Sequence, residues 1–340
     1  PFVDRKTHVG IEVEVENVQY INPNIPLCFW HITYDCSLRN HGREFKSYAI
    51  PLKHTQIALE QLFAGLNPDI DFSNRTSIHV HVDVRGLTIN QLLTMLFTYT
   101  VMENLLFKFV GNNRRNNIFC TPITETELIT ALDIKSRQSL QHHFQHIWQK
   151  YSALNVLPIN NFGTLEFRQM PGTKDVTKLC IWIDFLARLR LYAYRNKLSD
   201  VLQTIYELNT NSQYRKFVES VFGELTSYLD TTTLLNDMEK PVYLVKNCQA
   251  TNKFNQQVFL EINKMNPESN LIKIIGIQQT PLNVLGPKAY ILFMTIMQRS
   301  NMENEIKCYN QIREFPKEYM AVFTSQEEKH LIRFIVEHPL

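Results

Sequence analysis

Three stretches of this chain set ionisable side chains at every second position. In GIEVEVE, residues 10–16, Glu12, Glu14 and Glu16 alternate with Ile11, Val13 and Val15. In SIHVHVDV, residues 77–84, His79, His81 and Asp83 alternate with Ile78, Val80, Val82 and Val84. In TLEFRQM, residues 164–170, Thr164, Glu166 and Arg168 oppose Leu165 and Phe167. A period of two is that of a β-strand, so each stretch predicts a strand with one apolar face and one ionisable face. A half-solvated antiparallel sheet alternates in the same way, but these residue types ask for more. Along a strand the three glutamates stand about 7 Å apart, at roughly 3.4 Å per residue. At an effective dielectric near 20, neighbours repel by roughly 2 kcal/mol. A positive partner is required: a metal ion, or an arginine or histidine of a neighbouring strand. Carboxylates suit hard divalent cations such as magnesium or manganese. A clustered Glu, Glu, His, Glu set could hold two of them, an arrangement that commonly clamps nucleotide phosphates. Arg168, two residues from Glu166, could then neutralise a phosphoryl group in transfer.

These strands need elements around them. Short strands are expected around CFWHITY (28–34) and REFKSYAI (43–50), joined by the turn DCSLRNHG. Helical spacing marks HTQIALEQLFAGL (54–66), ended by Gly65 and Pro68, and a long helix over about 88–110. GNNRRNNIFC (111–120) reads as a loop, 125–150 as helical, and YSALNVLPINNFG (151–163) as irregular. Residues 175–230 are helical in pattern, with KLCIWIDFLARLRLYAY as their apolar centre, and beyond about 235 no motif can be placed. AYILFMTIM (289–297) reads as core.

The 340 residues are 44% hydrophobic, enough for a large core. Ten glycines, with neither GxxxxGK[ST] nor GxGxxG, argue against a glycine-rich phosphate loop. A net charge of +2 gives no case for a broad nucleic-acid or membrane surface. Six scattered cysteines without a CxxC pair argue for free thiols in a reducing compartment and against structural zinc. PFVDRKTH does not read as a signal peptide, and the apolar run 92–111 is interrupted by Glu103 and Lys108, so it reads as a buried helix. The expectation is a soluble, cytoplasmic protein. His142 or His143 with His146 has the spacing of a zinc pair, but no third carboxylate ligand stands within a turn, and an ordinary helix surface is the better reading. Cys36 has no histidine at an interpretable spacing, so a nucleophilic role is not expected.

Taken in order, GIEVEVE, DCSLRNHGREFKS, SIHVHVDV, YSALN and GTLEFRQMPGT resemble the putative amidoligase family, carboxylate–amine ligases related to glutamine synthetase and glutamate–cysteine ligase. No single motif is specific; their order over about 8–190 carries the resemblance. It implies an α+β fold: a curved antiparallel sheet of glutamine-synthetase-like type, helices on its convex face, and a mainly helical C-terminal extension. Residues 1–200 would be the catalytic domain, and 201–340 a helical or mixed region of unassigned role. The implied cofactors are ATP and Mg²⁺ or Mn²⁺.

Residue by residue, the resemblance implies metal ligands at Glu12, Glu14, Glu44, His79 and Glu166. Arg168 would contact the γ-phosphate, and His81, Arg114 and Arg115 are further ATP-binding candidates, although RRNN at 114–117 reads equally as a solvated basic turn. Asp35 would face the substrate or the amine, with Ser37 in the same turn, and Tyr151, Ser152 and Asn155 would line the substrate side. Glu16 has no firm counterpart, and Asp83 reads as a group at the sheet rim. The turn DCSL lacks the family's usual glycine, and Pro51 is displaced from Ser47. The implied activity joins a small-molecule or peptide carboxylate to an amine, with a macromolecular substrate and a homo-oligomer both possible. The rivals are a phosphotransferase or adenylating enzyme on the same face, and a non-catalytic binding module.

Overall fold

The computed structural model describes residues 7–132 and 137–248. The apolar run 289–297 and everything else beyond Cys248 lie outside the described residues. The described residues divide into two compact units, one of residues 8–76 and one of Thr7 with 77–248.

The first unit contains β1 (His8–Val15), β2 (Trp30–Thr33), β3 (Arg43–Ser47), β4 (Ile50–Pro51) and α1 (Thr55–Gly65). β3 lies between β1 and β2 and is antiparallel to both. β4 pairs with the start of β1 through His8 and Val9. The alternation in β1 places Val9, Ile11, Val13 and Val15 in the core with Phe45 of β3. The expected strand 43–50 is broken because the Ser47 hydroxyl accepts the Ile11 N–H (2.8 Å) and donates to the Tyr48 carbonyl (2.8 Å). A side chain that takes a ladder hydrogen bond interrupts the strand, which resumes as β4. α1 buries Thr55, Ala58, Leu59 and Leu62 along one stripe, and the Trp30 indole N–H donates to the Ala58 carbonyl at 2.9 Å.

The second unit contains β5 (Ser77–Asp83), α2 (Ile89–Val110), α3 (Arg137–His142), β6 (Leu154–Asn155), α4 (Ile159–Phe162), β7 (Thr164–Pro171), α5 (Val176–Arg195), α6 (Leu198–Glu207), α7 (Asn211–Phe222) and α8 (Leu234–Lys246). β7 pairs antiparallel with β5 and β6. The protein is thus a mixture of helices and open antiparallel sheet, with seven strands among the described residues. α2 starts at a capping box between Thr88 and Gln91 and ends at Gly111, whose φ of 119° suits only glycine. It is buried almost all round, as a central helix must be, and α5, α6 and α8 pack on it. Among the described residues no helix is long and apolar enough to cross a membrane.

One further segment differs from expectation. Among the described residues of 125–150, only 137–147 form a continuous helical stretch: α3 leads into one wide turn over His143–Ile147. Before it, the Thr126 hydroxyl bonds the Ile123 carbonyl (2.8 Å) and accepts the Leu128 N–H, so local side-chain bonds replace helical ones. α8 falls in the region read as helical or mixed, although no motif marks it, and it carries Pro241 in its interior. A proline cannot supply the N–H that the carbonyl four residues back requires. That carbonyl, of Asp237, instead accepts the Asn104 side-chain amide of α2 at 2.6 Å. Lys108, one turn further along α2, pairs with the Asp237 carboxylate at 2.6 Å.

Glu103 is the one carboxylate in the middle of α2 and is fully buried. It accepts from the Tyr99 hydroxyl (3.0 Å), the Ile123 and Thr124 N–H groups (2.9 Å each) and the Thr124 hydroxyl (2.7 Å). Removing it would orphan four buried donors, so Glu103→Ala should cost about 3 kcal/mol by urea denaturation. Burial raises the Glu103 pKa above its usual value, against the lowering effect of those hydrogen bonds. A raised folded-state pKa means that the native state holds the proton more tightly. This contribution to stability is present at acid pH and is lost as pH rises through the folded pKa. Glu103→Gln should flatten that part of the stability–pH profile.

Candidate functional site

The polar face of the first unit is set by strand register. Glu12 lies opposite Lys46, and Lys46 opposite His31. Glu14 lies opposite Glu44, and Glu44 opposite Thr33. Two cross-strand rows result, His31–Lys46–Glu12 and Thr33–Glu44–Glu14. Glu14 and Glu44 are buried, with 7% and 8% exposure, so this is not an ordinary solvated face. The Lys46 ammonium lies 3.4 Å from a Glu12 oxygen and 2.9 Å from Glu44 Oε2. The Thr33 hydroxyl donates to the same Glu44 oxygen at 2.9 Å. Burial and the Glu12 charge raise the Glu44 pKa, and Lys46 and Thr33 only partly offset them. Burial lowers the Lys46 pKa, but the carboxylates of Glu12 and Glu44 outweigh it and hold the ammonium above its usual value.

Asp35 joins this face from the turn after β2. Ligand oxygens of Glu14, Asp35 and Glu44 all lie within 4.8 Å of one another. An all-carboxylate donor set of this kind fits a hard divalent cation. Asp35 also accepts the Ser37 N–H at 2.7 Å, which shapes the turn, while the Ser37 side chain is exposed. Glu16 is buried and paired: it accepts the Arg39 N–H at 2.9 Å. Sequence reasoning missed Lys46 and the approach of Asp35. Lys46 shares strand parity with Glu44, which is a legible signal; the path of the DCSL turn is not.

The polar face of the second unit centres on Glu166. One oxygen meets the Arg168 guanidinium and lies 3.3 Å from His79 Nδ1; the other accepts the Asn155 amide at 2.7 Å. Glu166, His79, Asn155 and Arg168 are all buried. His79 Nε2 pairs with the Ser77 hydroxyl at 2.8 Å, and His81 Nδ1 with Thr164 at 3.0 Å. Asp83 sits at the strand end, paired with Arg85 at 2.9 Å, in keeping with a rim position.

Arg168 stands on an irregularity. Ile78 is opposite Met170 and Val80 opposite Phe167, so β7 carries one extra residue against His79. Arg168 and Gln169 form this β-bulge, a device that re-aims a side chain. The Arg168 N–H still pairs with the Ala153 carbonyl (2.9 Å), and its side chain donates to the Phe119 carbonyl (3.1 Å) and approaches the Tyr151 ring at 5.7 Å. Arg114 is buried and donates to the Arg168 carbonyl at 3.0 Å, while Arg115 pairs with Glu125 at 2.8 Å. The 111–120 segment thus props the strand that carries Arg168. Tyr151 is half exposed; Ser152 is fully buried and accepts from the Trp148 indole at 3.1 Å. His142 and His146 are both exposed, their ring centroids 5.0 Å apart and the rings tilted by 44°.

The Glu166–Arg168 pair can be tested by stability alone. Removing one partner of a buried ion pair leaves the other charge uncompensated and costs about 3 kcal/mol. Glu166→Gln and Arg168→Met should each show a loss of that order in urea denaturation. The double variant should lose clearly less than their sum.

No curated protein matches the chain. Residues 27–190 match the family model described as a putative amidoligase enzyme, which points to ligase chemistry. The matched segment holds Asp35, Glu44, His79, Glu166 and Arg168, whereas β1, with Glu12 and Glu14, precedes it. Over residues 27–190 the chain's resemblance to the putative amidoligase family, read from its motifs, is borne out.

Proposed function

We propose that this protein is an ATP- and divalent-metal-dependent carboxylate–amine ligase built on a sheet of glutamine-synthetase-like type. The observation that carries this reading is the convergence of Glu14, Asp35 and Glu44 within 4.8 Å. These carboxylates would hold magnesium or manganese; the resemblance separately implies metal ligation by Glu12, His79 and Glu166. Asp35 would be shared between the metal and the substrate side. Bound divalent ions would supply charge neutralisation and orientation of the ATP phosphates.

In the reaction, an oxygen of the substrate carboxylate attacks the γ-phosphorus, the bond to ADP breaks, and an acyl phosphate forms. An amine nitrogen then attacks the acyl carbon, phosphate leaves, and an amide remains. The protein contributes positioning and charge rather than a covalent intermediate. Arg168 is the residue to neutralise the phosphoryl group, because the bulge, Glu166 and the Phe119 carbonyl hold its guanidinium in place. His81, Arg114 and Arg115 are the secondary candidates for phosphate contact. Of these, Arg115 is engaged with Glu125 and Arg114 with the backbone of Arg168.

The test is phosphate release from ATP with magnesium or manganese, against pools of carboxylates and amines, with Glu14→Ala as the control. Release that needs the metal, a carboxylate and an amine together is the expected result. A phosphorylated or AMP-linked product without an amine would assign the site to phosphoryl or adenylyl transfer instead. Neither turnover nor an ATP- and metal-dependent shift in melting temperature would overturn the reading. Arg168→Ala, checked for cooperative melting, should lower turnover by about 10³-fold, the scale of a lost transition-state arginine, with a much smaller change in ATP affinity.

A further inference from the structure

Lys46 stands inside the acidic face of the first unit. Its position in REFKS gives it the same strand parity as Glu44, two residues away, so it cannot turn to the core face without a register slip. Its ammonium is 3.4 Å from Glu12 and 2.9 Å from Glu44 Oε2, an oxygen that also accepts the Thr33 hydroxyl. Glu44 is at the same time one of the three carboxylates that converge within 4.8 Å. A divalent ion entering that cluster therefore meets a carboxylate with one oxygen already engaged by a resident cation. An exposed ion pair of this type would be weak, but the Glu44 carboxylate is buried, so the competition takes place where screening is reduced.

We propose that Lys46 is a built-in counter-cation that competes with a divalent metal for Glu44 and so sets the metal affinity of the Glu14–Asp35–Glu44 cluster. The inference rests on the reading of that cluster as a metal site. Without a divalent ion, the ammonium neutralises Glu12 and Glu44 and keeps the strands in register. A divalent ion that binds must either accept the remaining oxygen of Glu44 or displace the lysine, and both weaken its binding. Methionine matches the length of the lysine stem and carries no charge, so K46M removes the competitor and keeps the packing.

The experiment is direct binding of Mn²⁺, followed by the electron paramagnetic resonance signal of the free ion, with no nucleotide or substrate present. Wild type, K46M, K46R and Glu14→Ala are compared. K46M should bind Mn²⁺ at least tenfold tighter, the scale expected for removing a positive charge about 5 Å from a divalent ion even at a water-like dielectric. K46R keeps the charge and should bind as wild type does. Equal or weaker binding by K46M would overturn the proposal and leave the metal site standing. Binding by neither wild type nor K46M, or equal binding by wild type and Glu14→Ala, would remove the metal reading itself and the proposal with it. If K46M fails to melt cooperatively, K46Q gives the same comparison.

Discussion

A buried carboxylate must be neutralised where it stands, and the polar faces of both units are organised around that requirement. The apolar halves of β1, β5 and β7 are committed to the core through Val13, Val80, Phe167 and their neighbours, all fully buried. Strand parity then leaves Glu14, Glu44, His79 and Glu166 no alternative face, since a slip by one residue would expose the core. Counter-charges must therefore come from the same face. Lys46 serves Glu12 and Glu44, and Arg168 serves Glu166, to which the Asn155 amide also donates. Inside α2, four neutral hydrogen-bond donors serve Glu103 instead. The same constraint is met by ammonium, guanidinium and neutral donors according to what each backbone can bring.

The bulge in β7 shows how the core and the site are reconciled. Leu165 and Phe167 keep the alternation, but the next core residue is Met170, three positions on. Without the extra residue, Gln169 would take the core register position now held by Met170. With it, Met170 meets Ile78, and Arg168 stays beside Glu166 on the polar face. Glu103 supports the arrangement at a distance, because it anchors the N–H groups of Ile123 and Thr124, just beyond the Phe119 carbonyl that accepts from Arg168.

Much of this is legible in the sequence because strict apolar–ionisable alternation suits a strand and would scatter the same residues around a helix. β1, β5 and β7 fall where GIEVEVE, SIHVHVDV and TLEFRQM place them, and α2 falls between its capping box and Gly111. The segment 125–150 misleads because Leu128, Ile129 and Leu132 are buried at spacings that a helix would share, while Thr126 diverts the backbone bonds. The extent of α8 is hidden by Pro241, whose missing hydrogen bond is replaced by Asn104, a residue 133 positions away from Asp237 in the chain. Such long-range compensation leaves no local trace. Lys46 is visible in REFKS, but its meaning depends on which strands flank β3. The place of Asp35 depends on a turn whose path no periodicity describes.

The first unit therefore carries local conflict at one defined place. Glu44 is buried and lies beside the Glu12 charge, and both effects raise its pKa even with Lys46 and Thr33 in contact. A group in that state favours the folded protein at acid pH, and its contribution is lost as pH rises through its folded pKa. A fold selected for stability alone would place an apolar or hydroxyl side chain there, as it does at neighbouring Phe45 and at Thr33. The β1–β3 register instead sets Glu44 directly opposite Glu14, and like charges facing each other across strands are unfavourable. Departures from local consistency of this kind are expected where a ligand supplies the missing term. A divalent cation bound there would outweigh both effects, because it would stabilise the ionised form that burial and Glu12 disfavour.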